Sequence, residues 1–158
     1  NLNHGFDAAG QEIKQATAML IGVGANPMAV EMEREVERYF RKIDAGAEYA
    51  ITQPIFEADL LLRFLDRIHK YDQKIFVIAG LYPLISFRNA DFMSKHVPGV
   101  TVPESILERL GKCKTKEDGF KTGVEITREI RDKIADAVSG FQASAPLGRM
   151  DIALEVLR

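Results

Sequence analysis

The sequence offers little that would support a disulfide, a metal centre or a membrane span. Cys113 is the only cysteine among 158 residues, which excludes an internal disulfide and any cysteine-rich metal site. The three histidines have no carboxylate or cysteine at ligand spacing, so no metal site is predicted. No apolar run approaches the roughly 20 residues that a membrane-spanning helix needs. These absences favour a reducing, cytoplasmic location, in which Cys113 has no special role.

Charge of one sign is also scarce. The formal net charge is −2, and the basic residues are spread along the chain, so neither nucleic acid nor an anionic membrane is an expected partner. The composition, 46% hydrophobic and 28% charged, is typical of a globular domain, and no low-complexity linker divides it. Residues 1–158 are therefore predicted to form a single unit whose partners are small molecules.

What the sequence does contain is a regular alternation of strand-like and helix-like segments. Short, mostly apolar runs predict four buried parallel strands at 18–24, 49–54, 74–81 and 140–145. Apolar residues at helical spacing predict helices around 32–43, 61–68, 103–110, 126–138 and 149–158. The predicted order is βαβαβα, two extra helices, and then βα, which requires one helix more than these five segments.

That order is typical of an α/β fold with a parallel sheet and right-handed crossovers. Four βα units are half of a (β/α)₈ TIM barrel, which typically needs about 250 residues, and four strands cannot close a barrel. The chain begins at Asn1 without a methionine. We therefore expect a piece of a longer polypeptide rather than an open sheet.

Polar side chains near the ends of the predicted strands are candidates for ligand binding. Gln53 carries a donor and an acceptor on one planar group, which could pair with the edge of a heterocycle or could satisfy backbone groups in a loop. Arg38, Arg41 and Lys42 lie late in the first predicted helix, where cations complement the helix dipole but could also bind phosphates. Arg149 follows the last strand and could hold a carboxylate or be an ordinary surface arginine.

Several motifs, in chain order and over nearly the whole chain, closely resemble those of the methylenetetrahydrofolate reductase family. They are NLNHGFDAAG at 1–10, IGVGANP at 21–27, KIDAGA at 42–47, ITQP at 51–54, GLYP at 80–83, VPGVTVP at 97–103 and PLGR at 146–149. The resemblance implies a (β/α)₈ barrel that holds FAD at the carboxyl ends of its strands. It also implies that the barrel uses NAD(P)H to reduce 5,10-methylenetetrahydrofolate to 5-methyltetrahydrofolate, for methionine synthesis. This chain would supply the last four βα units.

Position by position, the resemblance also implies the binding residues. Those expected to contact folate are Gln53, Tyr82, Asn89, Met93 and Arg149. Those expected to contact FAD are Asn26, Glu35, Arg38, Arg41 and Lys42. The glutamate general acid of the family and the aspartate near its flavin fall on earlier strands, so no catalytic residue is expected in this chain.

Three of these positions depart from the best-known bacterial enzyme. Met93, with Phe92 beside it, stands where that enzyme has an aromatic side chain that stacks on the folate. A thioether can pack on an aromatic ring, but it cannot stack in the same way. Arg38 replaces a neutral amide, and Glu35 replaces an aspartate.

Two other interpretations remain open. A non-catalytic half-barrel would bind a ligand, or would associate with a copy of itself or with a separate N-terminal half, because an unclosed sheet has two free edges and an apolar interior. An open-sheet enzyme unrelated to folate would show no response to FAD or folate.

Overall fold

The computed structural model describes residues 1–71 and 74–158. One sheet contains the strands β1 (Gly22–Ala25), β2 (Tyr49–Pro54), β3 (Phe76–Leu81) and β4 (Gly140–Ala143). The helices are α1 (Met32–Asp44), α2 (Ala58–Ile68), α3 (Phe87–His96), α4 (Glu104–Gly111), α5 (Lys116–Ile134) and α6 (Met150–Leu157). The strands lie side by side in the order β1-β2-β3-β4, and every neighbouring pair is parallel. The predicted order of elements is confirmed.

The strand boundaries follow the prediction closely at β2 and less closely at β1. β2 begins and ends where its apolar run does, at Tyr49 and Pro54. β1 was expected to begin at residue 18 and begins at Gly22. The side chain of Asn3 explains the difference: its Nδ2 donates to the carbonyl of Met19 and its Oδ1 accepts from the Met19 amide. Met19 is therefore bonded to the N-terminal turn, and bonding to β2 begins at Ile21, whose carbonyl oxygen accepts from the Tyr49 amide.

The helices pack against one face of the sheet. Crossovers between adjacent parallel strands are almost always right-handed, so strands added in sequence place every helix on the same side. Alternate strand residues such as Ala50, Val77 and Ala79 are buried with helix residues in one large core. Tyr39 and Phe64 join α1 to α2 in that core, with their rings edge to face at 5.5 Å. Burial raises the pKa of the Tyr39 phenol to about 12.

Among the described residues, no helix covers the opposite face of the sheet. Its side chains include Ile51, Gln53 and Phe76, of which Phe76 is 70% exposed. A Cβ on Gly22 would overlap the Tyr49 ring, so this ring lies across β1 on the open face. The fold is therefore an α/β fold with a parallel four-stranded sheet and helices on one side, which is consistent with part of a TIM barrel.

Two glycines let α5 approach the segment that follows β3. A Cβ on Gly123 would overlap the carbonyl oxygen of Leu84, and one on Gly119 would lie 2.5 Å from the carbonyl oxygen of Ile85. This close packing fixes the path of the chain between β3 and α3. Within the described residues, no helix is both long enough and apolar enough to cross a membrane.

Candidate functional site at the carboxyl ends of the strands

The parallel register brings several of the expected binding residues to one edge of the sheet. Ala25 pairs with Thr52, so Asn26 and Gln53 follow at the same end of neighbouring strands. Leu81 pairs with Ala143, so Tyr82 begins the next connection along this edge. In parallel sheets, ligands are bound at the carboxyl ends of strands, where the loops meet. We call this edge the carboxyl edge.

Gln53 lies at an irregularity in β2. Ile51 pairs with Ile78 and Pro54 pairs with Gly80, so β2 contains one more residue than β3 over this interval. Such a β-bulge bends the strand and redirects a side chain. Gln53 is exposed, while Thr52 beside it is only 5% exposed.

The hydroxyl of Thr52 bonds in two directions across this bulge. Its Oγ1 accepts a hydrogen bond from the amide of Gly80 at 2.8 Å and donates one to the carbonyl oxygen of Gln53 at 2.8 Å. Neither Thr52 nor Gly80 was among the residues expected to bind a ligand. The available signal was a hydroxyl residue within an otherwise apolar strand, directly before the glutamine.

Residues expected to contact FAD gather at the junction of β1 and α1. The Glu35 carboxylate, on a residue only 6% exposed, accepts a hydrogen bond from the Asn26 amide at 3.0 Å. Lys42 Nζ lies 3.7 Å from Glu35 Oε1 and donates to the carbonyl oxygen of Gly24 at 2.6 Å. Arg38 Nε lies 3.9 Å from Glu35 Oε2. Glu35 thus holds the end of β1 and two cations of α1 together.

Arg41 does not join this cluster. Its guanidinium pairs with Glu37 at 2.6 Å, and both side chains are mostly exposed. Residues 35, 38 and 42 follow the three- and four-residue spacing of one helix face, whereas 37 and 41 occupy the neighbouring face. Of the four α1 residues expected to contact FAD, the structure therefore groups Glu35, Arg38 and Lys42.

The residues expected after β3 have structural partners of their own. Ser86 Oγ accepts from the Asn89 amide at 3.1 Å, and Asn89 Oδ1 accepts from the Ile85 amide at 3.2 Å, so Asn89 helps to begin α3. Met93 is 9% exposed and packs into the core between the helices and the sheet. Phe92, next to it, is exposed, with its ring centroid 5.1 Å from that of His96.

Arg149 lies in a cleft of about 420 Å³ between α5 and α6. Its guanidinium makes two hydrogen bonds to Asp151, at 2.9 and 2.5 Å, and lies 4.9 Å from the centre of the Phe120 ring. The hydrogen bond from Arg149 holds the pKa of Asp151 below its usual value. The Arg149 guanidinium is therefore occupied by Asp151 and Phe120, and binding a ligand carboxylate would require it to leave Asp151.

Comparison with known proteins finds a family model that matches most of this chain. A family model described as methylenetetrahydrofolate reductase matches residues 12–149. Methylenetetrahydrofolate reductase 2 of Schizosaccharomyces pombe is 28% identical over 112 residues, which cover 68% of this chain and 17% of that protein. The 5,10-methylenetetrahydrofolate reductase of Buchnera aphidicola subsp. Baizongia pistaciae is 34% identical over 79 residues, covering 50% of this chain and 26% of that protein.

The enzyme of the same name from Escherichia coli K12 is 35% identical over 65 residues, covering 41% of this chain and 22% of that protein. Among solved structures, an uncharacterized protein from Clostridium thermocellum that binds two copies of 5-methyl-5,6,7,8-tetrahydrofolic acid matches with a TM-score of 0.64 at 18% identity. The match covers 91% of this chain and 53% of that one, and at this identity it shows the shared fold. The chain thus spans about a quarter or less of these curated relatives and about half of the solved structure.

Proposed function

The chain belongs to the methylenetetrahydrofolate reductase family, and from this premise we propose that it supplies the last four βα units of a barrel that reduces 5,10-methylenetetrahydrofolate to 5-methyltetrahydrofolate. The strand order and the single layer of helices support the barrel, because a sheet wound in this way closes only when more strands are added. The main support for this function is the position of Asn26 and Gln53. Both residues lie within the matched region and follow neighbouring strands at the carboxyl edge.

Gln53 is the proposed contact to the pterin of the folate. A pterin presents an amide-like edge with a donor and an acceptor side by side, and the carboxamide of glutamine offers the complementary pair. The exposure of Gln53 on the open face supports this role. Tyr82 and Asn89, in the connection after β3, are proposed to line the same site, and Met93 to pack beneath it. Arg149 is proposed to bind a carboxylate of the folate in exchange for Asp151.

FAD is proposed to bind at the junction of β1 and α1. Arg38 and Lys42 present cations there, Arg41 lies on the adjoining helix face, and cations of this kind bind diphosphates. A Cβ built on Gly24 would meet nothing within 4 Å, so a ligand has room to approach the backbone closely. When bound, FAD would supply the hydride-transfer chemistry, with NAD(P)H as the source of electrons. Asn26 and Glu35 would orient it through the bonds described above.

The contribution of this chain to the reaction is orientation. Opening of the five-membered ring of the substrate also requires a proton, and positioned carboxylic acids commonly provide one. We propose that this acid comes from the first half of the barrel, so that this chain alone binds ligand without turning it over.

The test pairs Gln53→Ala with Gln15→Ala, which removes the same amide from an exposed position outside the sheet. In the complete reductase, flavin fluorescence measures bound FAD and NAD(P)H oxidation measures turnover. We expect Gln53→Ala to raise the KM for the folate by about tenfold or more, the value of one well-placed polar contact, while FAD content stays unchanged. Equal folate kinetics in the two variants would disprove the role of Gln53.

A second candidate function is a half-barrel that associates without catalysis. In the part of the chain that the structure describes, one sheet face is uncovered and exposes Phe76, and β1 and β4 each have one unpaired side. These features favour association with a second copy or with a separate N-terminal half. Light scattering on the chain alone distinguishes self-association from a stable monomer. A monodisperse monomer at high concentration would contradict self-association.

A further inference from the structure

The bulge in β2 is closed by groups that hold it in one conformation. The extra residue of β2 interrupts the ladder between the Ile51–Ile78 and Pro54–Gly80 pairs. The Gly80 amide finds its acceptor in the Thr52 hydroxyl, and the hydroxyl proton goes to the carbonyl oxygen of Gln53. The Thr52 hydroxyl thus acts as both donor and acceptor, and it replaces the backbone hydrogen bond that the bulge removes from the ladder.

Gly80 completes this arrangement because it has no side chain. A Cβ at this position would lie 2.6 Å from the Thr52 carbonyl oxygen and 3.3 Å from the Gln53 carbonyl oxygen. Both obstacles are backbone atoms, which cannot rotate away. The two strands can approach closely enough for the Thr52 hydroxyl to reach the Gly80 amide only if residue 80 is glycine. We call the pair Thr52 and Gly80 the clasp.

We propose that the clasp determines the direction in which the Gln53 carboxamide points at the carboxyl edge. The bulge frees the peptide between Thr52 and Gln53 from the regular ladder, and the hydroxyl bond to the Gln53 carbonyl is what fixes its rotation. Thr52 is thus a positioning residue, since its own side chain is buried on the helix side of the sheet while Gln53 is exposed. This inference rests on the proposed function, because it assumes that Gln53 contacts the folate.

The chain provides a matched control for the test. Thr127 in α5 is as buried as Thr52, at 3% exposed, and its Oγ1 donates to the Gly123 carbonyl oxygen at 2.7 Å. Thr52→Val and Thr127→Val are therefore the same chemical change at equally buried positions, but only the first one disrupts the clasp. Thr52→Ser keeps the hydroxyl and serves as the rescue variant.

The measurements are the KM and kcat for 5,10-methylenetetrahydrofolate in the complete reductase, with FAD content as a check on folding. We expect Thr52→Val to raise the KM by about tenfold, since misplacement of an orienting group by less than 1 Å is costly, and Thr52→Ser to restore it to within about twofold. Thr127→Val should leave the KM unchanged. Amide hydrogen exchange on this chain should also show faster exchange of the Gly80 amide in Thr52→Val alone.

The outcomes separate the two proposals. If Gln53→Ala raises the KM but Thr52→Val behaves as Thr127→Val does, the positioning role is wrong and the proposed function stands. If Thr52→Ser fails to restore the KM, the hydroxyl is not the cause and the inference is again wrong. If the unmodified reductase neither binds nor reduces the folate, the proposed function fails, and the positioning role fails with it.

Discussion

The contact between α5 and the segment after β3 predicts that Gly123→Ala destabilises the protein, although alanine is the better helix former. In an open helix position the change would add about 1 kcal/mol of stability. Here the new methyl group would overlap the carbonyl oxygen of Leu84, a backbone atom that cannot move without displacing the chain between β3 and α3. Overpacking in a close-packed core costs about 1–3 kcal/mol, and a rigid obstacle places the cost at the upper end. We expect a net loss of about 2 kcal/mol.

Urea unfolding followed by circular dichroism measures this loss, with the slope of the transition as the check that only stability has changed. For a chain of this length a loss of that size corresponds to a Tm lower by about 4–8 °C. Gly111→Ala is the control, because a Cβ there would meet a ring carbon of Phe87 at 3.6 Å, an ordinary contact. If Gly123→Ala is as stable as Gly111→Ala, or more stable than the unmodified chain, the contact with Leu84 does not restrict this position.

Three further predictions concern ionisable groups. Glu35→Ala should lower the free energy of unfolding by about 1–3 kcal/mol, since it leaves the Asn26 amide without its acceptor and Lys42 without the nearby carboxylate. Glu35→Gln should lower it less, and urea unfolding measures both variants. The hydrogen bonds from Arg109 hold the pKa of Glu129 below its ordinary value of 4.5. This pair therefore stabilises the fold above pH 4.5 and loses that effect as the pH falls further. In Glu129→Gln, the free energy of unfolding should decrease less on acidification. Burial raises the pKa of Tyr39 from 10.0 to about 12, so the free energy of unfolding should fall as the pH rises from 10 to 12. Ultraviolet titration should show one tyrosine that ionises late, and Tyr39→Phe should remove that signal.

Periodicity was sufficient for the order of elements because each element has a single buried side. The strand from Tyr49 to Pro54 was predicted to the residue, since an apolar run ends there at a proline. The start of β1 was not, because it is set by Asn3, a side chain 16 residues away from the Met19 backbone that it binds. Periodicity within a segment contains no information about such a partner.

The candidate site was predictable only where it depends on a single segment. The position of Gln53 at a strand end follows from the run that precedes it, but the bulge follows from the register between β2 and β3, which is a property of two strands. The resemblance assigned roles to Arg149 and Met93. Arg149 pairs with Asp151, and Met93 lies in the core. Both environments depend on how the helices pack, which the sequence pattern does not specify.

The order of the strands in the sheet also bears on how the chain folds. Each strand pairs with the strand that precedes it in the sequence, so every pairing closes a loop no longer than one connection. The βαβ pair of β1 and β2 can form before β3 is in place, and each later strand needs only its predecessor as a template. Removal of β1 or β4 would take away an outer strand and leave the remaining ladder continuous. Folding is therefore expected to proceed by stepwise addition, with β4 added most slowly because its pairing closes the longest connection, which contains α3, α4 and α5.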